Sequence, residues 1–171
     1  MDFLELAKDR YSVRKFEDRP VEKEKLDYIL EAGNVAPTAK NLQPQRIYVL
    51  QSVEALQKIN ELSPCVFGAK TVLVFAYNTD EEWQNPLEAG VHSGVEDVSI
   101  VATHVMLAAA SIGLGTCWCN YFPNTKLEEA LGLPSNEKTV LFMPVGYIAE
   151  GSVPSVNHSA VKEIGETVKY I

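Results

Sequence analysis

Cysteine is scarce in this chain: Cys65, Cys117 and Cys119 are the whole supply. An odd, sparse count excludes a disulfide framework and fits a reducing compartment. Cys117-x-Cys119 has a metal-like spacing, but no second cysteine pair or nearby histidine completes four ligands. The thiols are therefore read as structural and no metal is expected. No run of 18 apolar residues occurs, which excludes a membrane-spanning helix. The N-terminus, Met1-Asp2-Phe3-Leu4-Glu5, has neither a basic n-region nor an h-region. No signal peptide is expected there, and a cytoplasmic location is. Positive charge is also short, with 15 Lys and Arg against 23 Asp and Glu and a net charge of −8. That balance argues against nucleic acid and against an anionic membrane surface as partners.

The familiar catalytic and nucleotide motifs are missing too. There is no Gly-x-Ser-x-Gly, no Gly-x-Gly-x-x-Gly after a strand and no P-loop. His92, His104 and His158 sit in no metal-ligand spacing. An organic cofactor bound without those motifs accounts for this set better than catalysis by protein side chains.

What is present is an ordinary composition, 46% hydrophobic and 22% charged over 171 residues, which fits one domain spanning 1–171. Residues 2–9 read as a helix capped by Asp2. A second helix opens after Pro20 and stops near Gly33-Asn34, read as a C-cap pair. Arg46–Leu50 is a strand and Val53–Leu62 a helix. Thr71–Tyr77 is an apolar, β-branched run, hence a buried central strand. Asn78–Ala89 is a polar loop carrying Trp83, and with Val91–Gly94 it is the available active-site cover. Val95–Ile112 is the longest helix, apolar on nearly all faces, which points to a core and a subunit interface together. His104 lies within it and is read as a satisfied core or interface histidine. Thr116–Phe122 is extended, Asn124–Leu131 a helix and Thr139–Val145 a strand. The tail after Ala149 shows no period of its own and could wrap over a partner. Interleaved α and β elements, without crossover length at every connection, predict a mixed sheet.

Arg10-Tyr11-Ser12-Val13-Arg14 is the most informative segment. In an extended chain Arg10, Ser12 and Arg14 share one face and converge on an anion. The rigid, permanently charged guanidinium suits phosphate and electron-rich heterocycles. Alone, the segment is better read as a solvated basic turn that ends the first helix. Pro37-Thr38-Ala39-Lys40-Asn41-Leu42-Gln43-Pro44 is a proline-fixed loop whose amides offer donor and acceptor together. Alone, it is equally a surface turn. Trp83, Tyr121 and Phe122 are candidate pocket aromatics or packing residues.

Four stretches together resemble the nitroreductase family of FMN-dependent oxidoreductases. They are Arg10-x-Ser12-x-Arg14-x-Phe16, Pro37-Thr38-x-x-Asn41-x-Gln43-Pro44, Gly113-Leu114-Gly115-Thr116-Cys117-Trp118 and Pro144-x-Gly146-Tyr147. The resemblance implies an α+β fold and a homodimer with the long helix at its interface and two FMN sites built from both subunits. It implies that Arg10 and Ser12 grip the phosphate and ribityl end, and that Arg14 faces the pyrimidine edge. Thr38, Asn41 and Gln43 would contact the ring, Thr38 from the other subunit. Tyr11, Pro37 and Ala39 belong to the same cofactor-binding stretches. Cys119, Asn120 and Tyr121 would place a backbone N–H near flavin N5. A guanidinium by N1 and O2 raises the flavin potential, and N5 carries hydride, so no catalytic side chain is required. The implied reaction is a ping-pong cycle from NADH or NADPH to a nitroaromatic, quinone or similar small-molecule acceptor.

One departure concerns the tail. Family members carry a Lys/Arg pair shortly after the Gly-Tyr turn, whereas this chain reads Glu150-Gly151-Ser152-Val153-Pro154-Ser155-Val156-Asn157-His158-Ser159. Asn157 and His158 are the substitute donors expected for the phosphate, and His158 would make FMN affinity pH-dependent. Two alternatives stay open: a non-catalytic flavin-binding or sensor protein, and a dedicated flavin enzyme such as a dehalogenase-like relative.

Overall fold

The computed structural model describes residues 2–171. Helix α1 (Phe3–Asp9) starts where expected, because the Asp2 carboxylate accepts the Leu4 N–H at 2.7 Å and Glu5 reaches back to the Asp2 N–H in a capping box. Helix α2 (Lys23–Asn34) follows an extended segment. Then come β1 (Gln45–Leu50), α3 (Val53–Leu62), β2 (Thr71–Asn78), α4 (Gly94–Ser111), β3 (Leu114–Thr116), α5 (Asn124–Leu131), β4 (Glu137–Tyr147) and a short α6 (Ile164–Thr167).

The four strands form one sheet in the order β1-β2-β4-β3. Every pairing between them is antiparallel, with Leu50 opposite Val72 and Thr71 opposite Val145. The expected mixed character is confined to one parallel bridge, Ser12 to Thr116, made by the N-terminal segment. The reason lies in the connections. The excursion through α3 leaves β1 at Leu50 and re-enters opposite it at Val72, so the helix decorates a hairpin instead of making a crossover.

β2 is central and buried on both faces, as its unbroken apolar run predicts. Leu73, Phe75 and Tyr77 point to α2 and α4, where they meet Ile29, Val98, Val101 and Val105. Val72 and Val74 point the other way, to Ile59 of α3 and Leu127 of α5, with Cys117, Cys119 and Phe142. Alternation across two covered faces explains the run without any parallel pairing.

One reading changes on contact with the fold. Gly33 is no C-cap. It lies inside α2, buried, and a Cβ there would stand 2.8 Å from Val105 Cγ2. Its lack of a side chain lets α2 sit against α4, and the cap falls to Val35, whose N–H donates to Glu31 and Gly33 carbonyls. Helix α4 is not buried all round within one protomer. Val98, Val101, Ala102, Val105 and Ala109 face the core, while Val95 and Ile100 are exposed. His104 is half-buried on this outer side, its Nδ1 2.9 Å from the Ile100 carbonyl, and is no core residue.

Candidate active site

The Arg10–Arg14 segment is extended because Ser12 bridges to Thr116 and the Val13 N–H donates to the Thr116 carbonyl at 2.9 Å. Gly115 makes this approach possible: a Cβ there would be 2.6 Å from Val13 Cγ2 and 2.9 Å from Ile148 Cγ1. Val13 is thereby driven into the interior at 1% exposure, and alternation turns Ser12 and Arg14 the other way. Arg14 Nη1 donates to the Ser12 carbonyl at 3.1 Å. Among the described residues neither Arg10 nor Arg14 has a carboxylate within ion-pair distance, whereas Arg19 and Arg46 do.

The Cys117 thiol lies near Arg14 and Ser12. Its pKa is held down to about 7, first by the adjacent Cys119 side chain, then by the Arg14 guanidinium and the Ser12 hydroxyl, against the opposing effect of burial, while the Cys119 thiol itself donates to the Cys65 and Cys117 carbonyls at 3.5 Å. Cys119 is pushed well above its ordinary value by the Cys117 side chain first, then by burial and by the neighbouring Cys65. Sequence reading took these thiols as structural, and two of them are indeed core residues. It missed that Cys117 faces the Ser12–Arg14 cluster. The i, i+2 spacing of Cys117 and Cys119 was the available signal, but only the bridge to Ser12 fixes which face it selects.

The second half of the predicted set is elsewhere. The loop from Thr38 to Gln43 sits on the N-terminal end of α4, where the Ala39 N–H donates to Asp97 Oδ1 at 2.8 Å. Lys40, Asn41 and Gln43 all adopt left-handed backbone conformations, with φ of 51°, 54° and 52°. Asn tolerates this region; Lys and Gln do not readily, at a cost of about 1–2 kcal/mol per residue. Such strain held in place by surrounding contacts clusters at functional sites. Thr38 Oγ1 accepts the Gln43 N–H at 3.1 Å, and Gln43 Nε2 donates to the Asn34 carbonyl at 3.3 Å. Pro37, Asn41 and Gln43 are exposed, and Thr38 and Ala39 half-buried.

The two halves do not meet within one protomer. Arg10, Tyr11 and Ala110 line a single small cavity at the C-terminal end of α4, and Asp97 holds the loop at the other end. Asp97 to Ala110 is about 20 Å along the helix axis at 1.5 Å per residue.

The remaining predicted residues divide as follows. Tyr11 is an anchor for the tail: its hydroxyl is 3.3 Å from the Ser152 carbonyl and its ring lies edge-on to His158. His158 Nε2 is 3.0 Å from the Lys8 carbonyl, which brings the imidazole to the end of α1, next to Arg10 in sequence terms. Asn157 donates its N–H to Ser155 Oγ at 3.3 Å. The Cys119 N–H cannot serve a flavin N5, because it donates to the Phe142 carbonyl at 3.0 Å in an antiparallel bridge. Asn120 uses its side chain internally, with Nδ2 on Val140 O and Oδ1 accepting from Trp118 Nε1. Tyr121 is exposed, and its carbonyl accepts from Ser63 Oγ at 2.7 Å. Phe122 is a packing residue, 5.3 Å edge-to-face from Phe142.

A family model described as "Nitroreductase family" matches residues 7–64 and 62–147, most of the chain. The chain belongs to the nitroreductase family. The fold agrees closely with a nitroreductase family protein of Clostridium difficile, at a TM-score of 0.92 and 35% identity over 99% of this chain and 98% of that one. A second C. difficile protein, an FMN-dependent nitroreductase, superposes with a TM-score of 0.79 at 26% identity, covering 98% of each. An FMN reductase [NAD(P)H] of Bacillus subtilis is 33% identical over 162 residues, which are 84% of this chain and 65% of that protein. No helix among the described residues is long and apolar enough to cross a membrane, and no group of three or more His, Cys, Asp or Glu among them could hold a metal ion.

Proposed function

We propose that this nitroreductase family chain is an FMN-dependent oxidoreductase that couples oxidation of NADH or NADPH to reduction of a nitroaromatic, quinone or similar acceptor. The carrying observation is the extended segment held against β3, which places Arg10, Ser12 and Arg14 on alternate residues with Arg14 folded back onto the Ser12 carbonyl. That donor set fits the cofactor: a hydroxyl and fixed positive charge for a phosphate, and a second guanidinium for the electron-rich edge of a heterocycle. When bound, FMN supplies the two-electron hydride chemistry. Arg10, Ser12 and the nearby His158 ring bind the phosphate end. Arg14 places positive charge against the pyrimidine edge and favours the reduced, more negative state of whatever it holds. Thr38, Asn41 and Gln43 offer amide and hydroxyl groups to the ring edge from the strained loop. With Cys119 engaged by Phe142, a backbone donor for N5 falls to Asn120 or Tyr121.

The separation of the halves supports a homodimer. Two copies related by a two-fold axis, with their α4 helices antiparallel, put the N-terminal end of one α4 beside the C-terminal end of the other. The exposed Val95 and Ile100 supply an apolar contact for that pairing. Val161, Ile164, Tyr170 and Ile171 are exposed in the tail and suit its wrapping over the second copy.

The test is an anaerobic visible spectrum of the purified protein before and after NADH or NADPH. Flavin absorbance that bleaches on mixing supports the reductase. Flavin absorbance that persists with both nicotinamides favours the non-catalytic flavin protein. Protein that stays colourless after incubation with FMN overturns the cofactor reading.

A further inference from the structure

Asp97 is 2% exposed at the start of the longest helix, a position its own sequence neighbourhood does not explain. Its two carboxylate oxygens face different segments. Oδ1 accepts the Ala39 N–H at 2.8 Å, inside the strained Thr38–Gln43 loop. Oδ2 accepts the Ser93 hydroxyl at 2.6 Å. That hydroxyl in turn accepts the Trp83 N–H at 3.2 Å, and the Ser93 N–H donates to the Trp83 carbonyl at 2.9 Å. One carboxylate therefore joins the 38–43 loop to the covering segment 78–93 through a single hydroxyl. The two segments are also adjacent at their roots, where the Asn78 N–H donates to the Pro44 carbonyl at 2.9 Å.

A carboxylate that only capped α4 would bond the first-turn N–H groups of its own helix. Here the first of those, on Gly94, donates instead to Glu82 Oε2 at 2.9 Å, a side chain of the covering segment that also holds His92 Nδ1 at 2.6 Å. Asp97 is thus free to bind across elements. Charged acceptors make the stronger hydrogen bonds, and the left-handed Lys40, Asn41 and Gln43 need such an anchor to persist.

We infer that Asp97 is a positioning residue that fixes the 38–43 loop and, through Ser93, couples its order to that of the 78–93 cover. Resting on the FMN reading, the consequence is that filling the flavin site tightens the cover above it, so cofactor occupancy and acceptor access are linked.

Hydrogen exchange of the full-length protein, with and without FMN, tests this with Asp97→Ala, Asp97→Asn and Ser93→Ala. Asp97→Ala speeds exchange in both 38–43 and 78–93 and weakens FMN binding at least about tenfold. Asn can accept from Ala39 and donate to Ser93, so Asp97→Asn restores protection in both segments. Ser93→Ala loosens 78–93 alone and abolishes the protection that FMN gives that segment, with 38–43 unchanged. Two results overturn the inference: faster exchange confined to the first turn of α4 in Asp97→Ala, or unchanged FMN-induced protection of 78–93 in Ser93→Ala. Should Asp97→Ala not fold, Ser93→Ala decides alone. Wild-type protein that fails to bind FMN sinks the cofactor reading. The FMN-free patterns still judge the coupling in that case: both segments loosened by one variant and a single segment by the other support it, and any other pattern refutes it.

Discussion

Replacing Gly115 by alanine should damage the cofactor site and the fold together, and Gly33→Ala should damage chiefly the fold. The added Cβ at 115 would lie 2.6 Å from Val13 Cγ2 and 2.9 Å from Ile148 Cγ1. Carbon atoms pack at about 3.5–4.0 Å, so Val13 must retreat by about 1 Å. Val13 cannot turn away without cost, being 1% exposed and tied to the Thr116 carbonyl by its N–H. The extended segment therefore moves as a body, taking Ser12 and Arg14 with it. At position 33 the Cβ would meet Val105 Cγ2 at 2.8 Å, an equally close contact, but on the α2–α4 seam away from the arginines. Overpacking of this kind costs about 1–3 kcal/mol in either place. For a chain of this length each kcal/mol lowers Tm by about 2–4 °C. FMN affinity, read by quenching of flavin fluorescence, should fall about tenfold or more in Gly115→Ala, the equivalent of one weakened charge-assisted contact. In Gly33→Ala it should fall by less, since position 33 reaches the proposed flavin contacts only through the Asn34 carbonyl that Gln43 Nε2 bonds. Equal FMN affinity in the two variants, at comparable losses of Tm, would refute the placement of the phosphate and ring contacts on the Ser12–Arg14 segment.

Three further outcomes follow from the same geometry. Arg14→Ala and Asn41→Ala homodimers should each lose FMN turnover, yet unfolding and refolding them together should restore about a quarter of wild-type activity, because half the dimers then carry one intact site; no recovery argues that one protomer builds the whole site. In FMN-free protein, thiolate absorbance should emerge with a midpoint of about 7 from Cys117, below the ordinary thiol value of 9.0, and Arg14→Leu should move it upward. The folded state favours the ionised thiol, so the stability it contributes is complete above the unfolded-state value and is lost as pH falls through about 7; a single thiol transition near 9 sinks the assignment. Tyr48 donates to Glu137, which is 7% exposed and among the described residues has only Arg46 Nε at 3.6 Å besides, so Tyr48→Phe should cost about 1.5–3 kcal/mol in denaturant unfolding. In the parent, burial and Glu137 push the Tyr48 hydroxyl up to about 12, so its stabilisation holds below the unfolded value near 10 and is lost as pH rises through about 12.

Much of the fold was legible because local signals agree with the tertiary structure. The Asp2 cap, the Val53–Leu62 and Asn124–Leu131 helices and the central strand all appear where residue pattern puts them. Pairing direction was not legible. Nothing in residues 51–70 distinguishes an excursion that returns beside its own strand from one that crosses over, since both bury a helix on the sheet. Gly33 misled for a related reason. A glycine near a helix end signals a left-handed cap only when no neighbouring helix needs the space, and Val105 is 72 residues away in sequence.

For the site, residue types were legible and their assignment to a surface was not. The alternation of Arg10, Ser12 and Arg14 identifies a cationic face, but its orientation depends on Gly115 admitting Val13. The Cys119 N–H looked available until its partner on β4 was known, because a bridge between residues 119 and 142 has no local signature. Asp97 escaped notice as one acid in an apolar helix, with no hint that it reaches Ala39. The largest gap was distance. Both motifs abut α4, and a reader of the sequence sees two contributions to one ligand. The helix sets them about 20 Å apart along its axis, at ends with different tasks: cations and a thiol at the C-terminal end, a strained polar loop and its cover at the N-terminal end. An α-helix cannot fold back to unite its own ends. A second α4 running the other way would bring both sets to a single cofactor, so the length of α4 is in keeping with the proposed dimer.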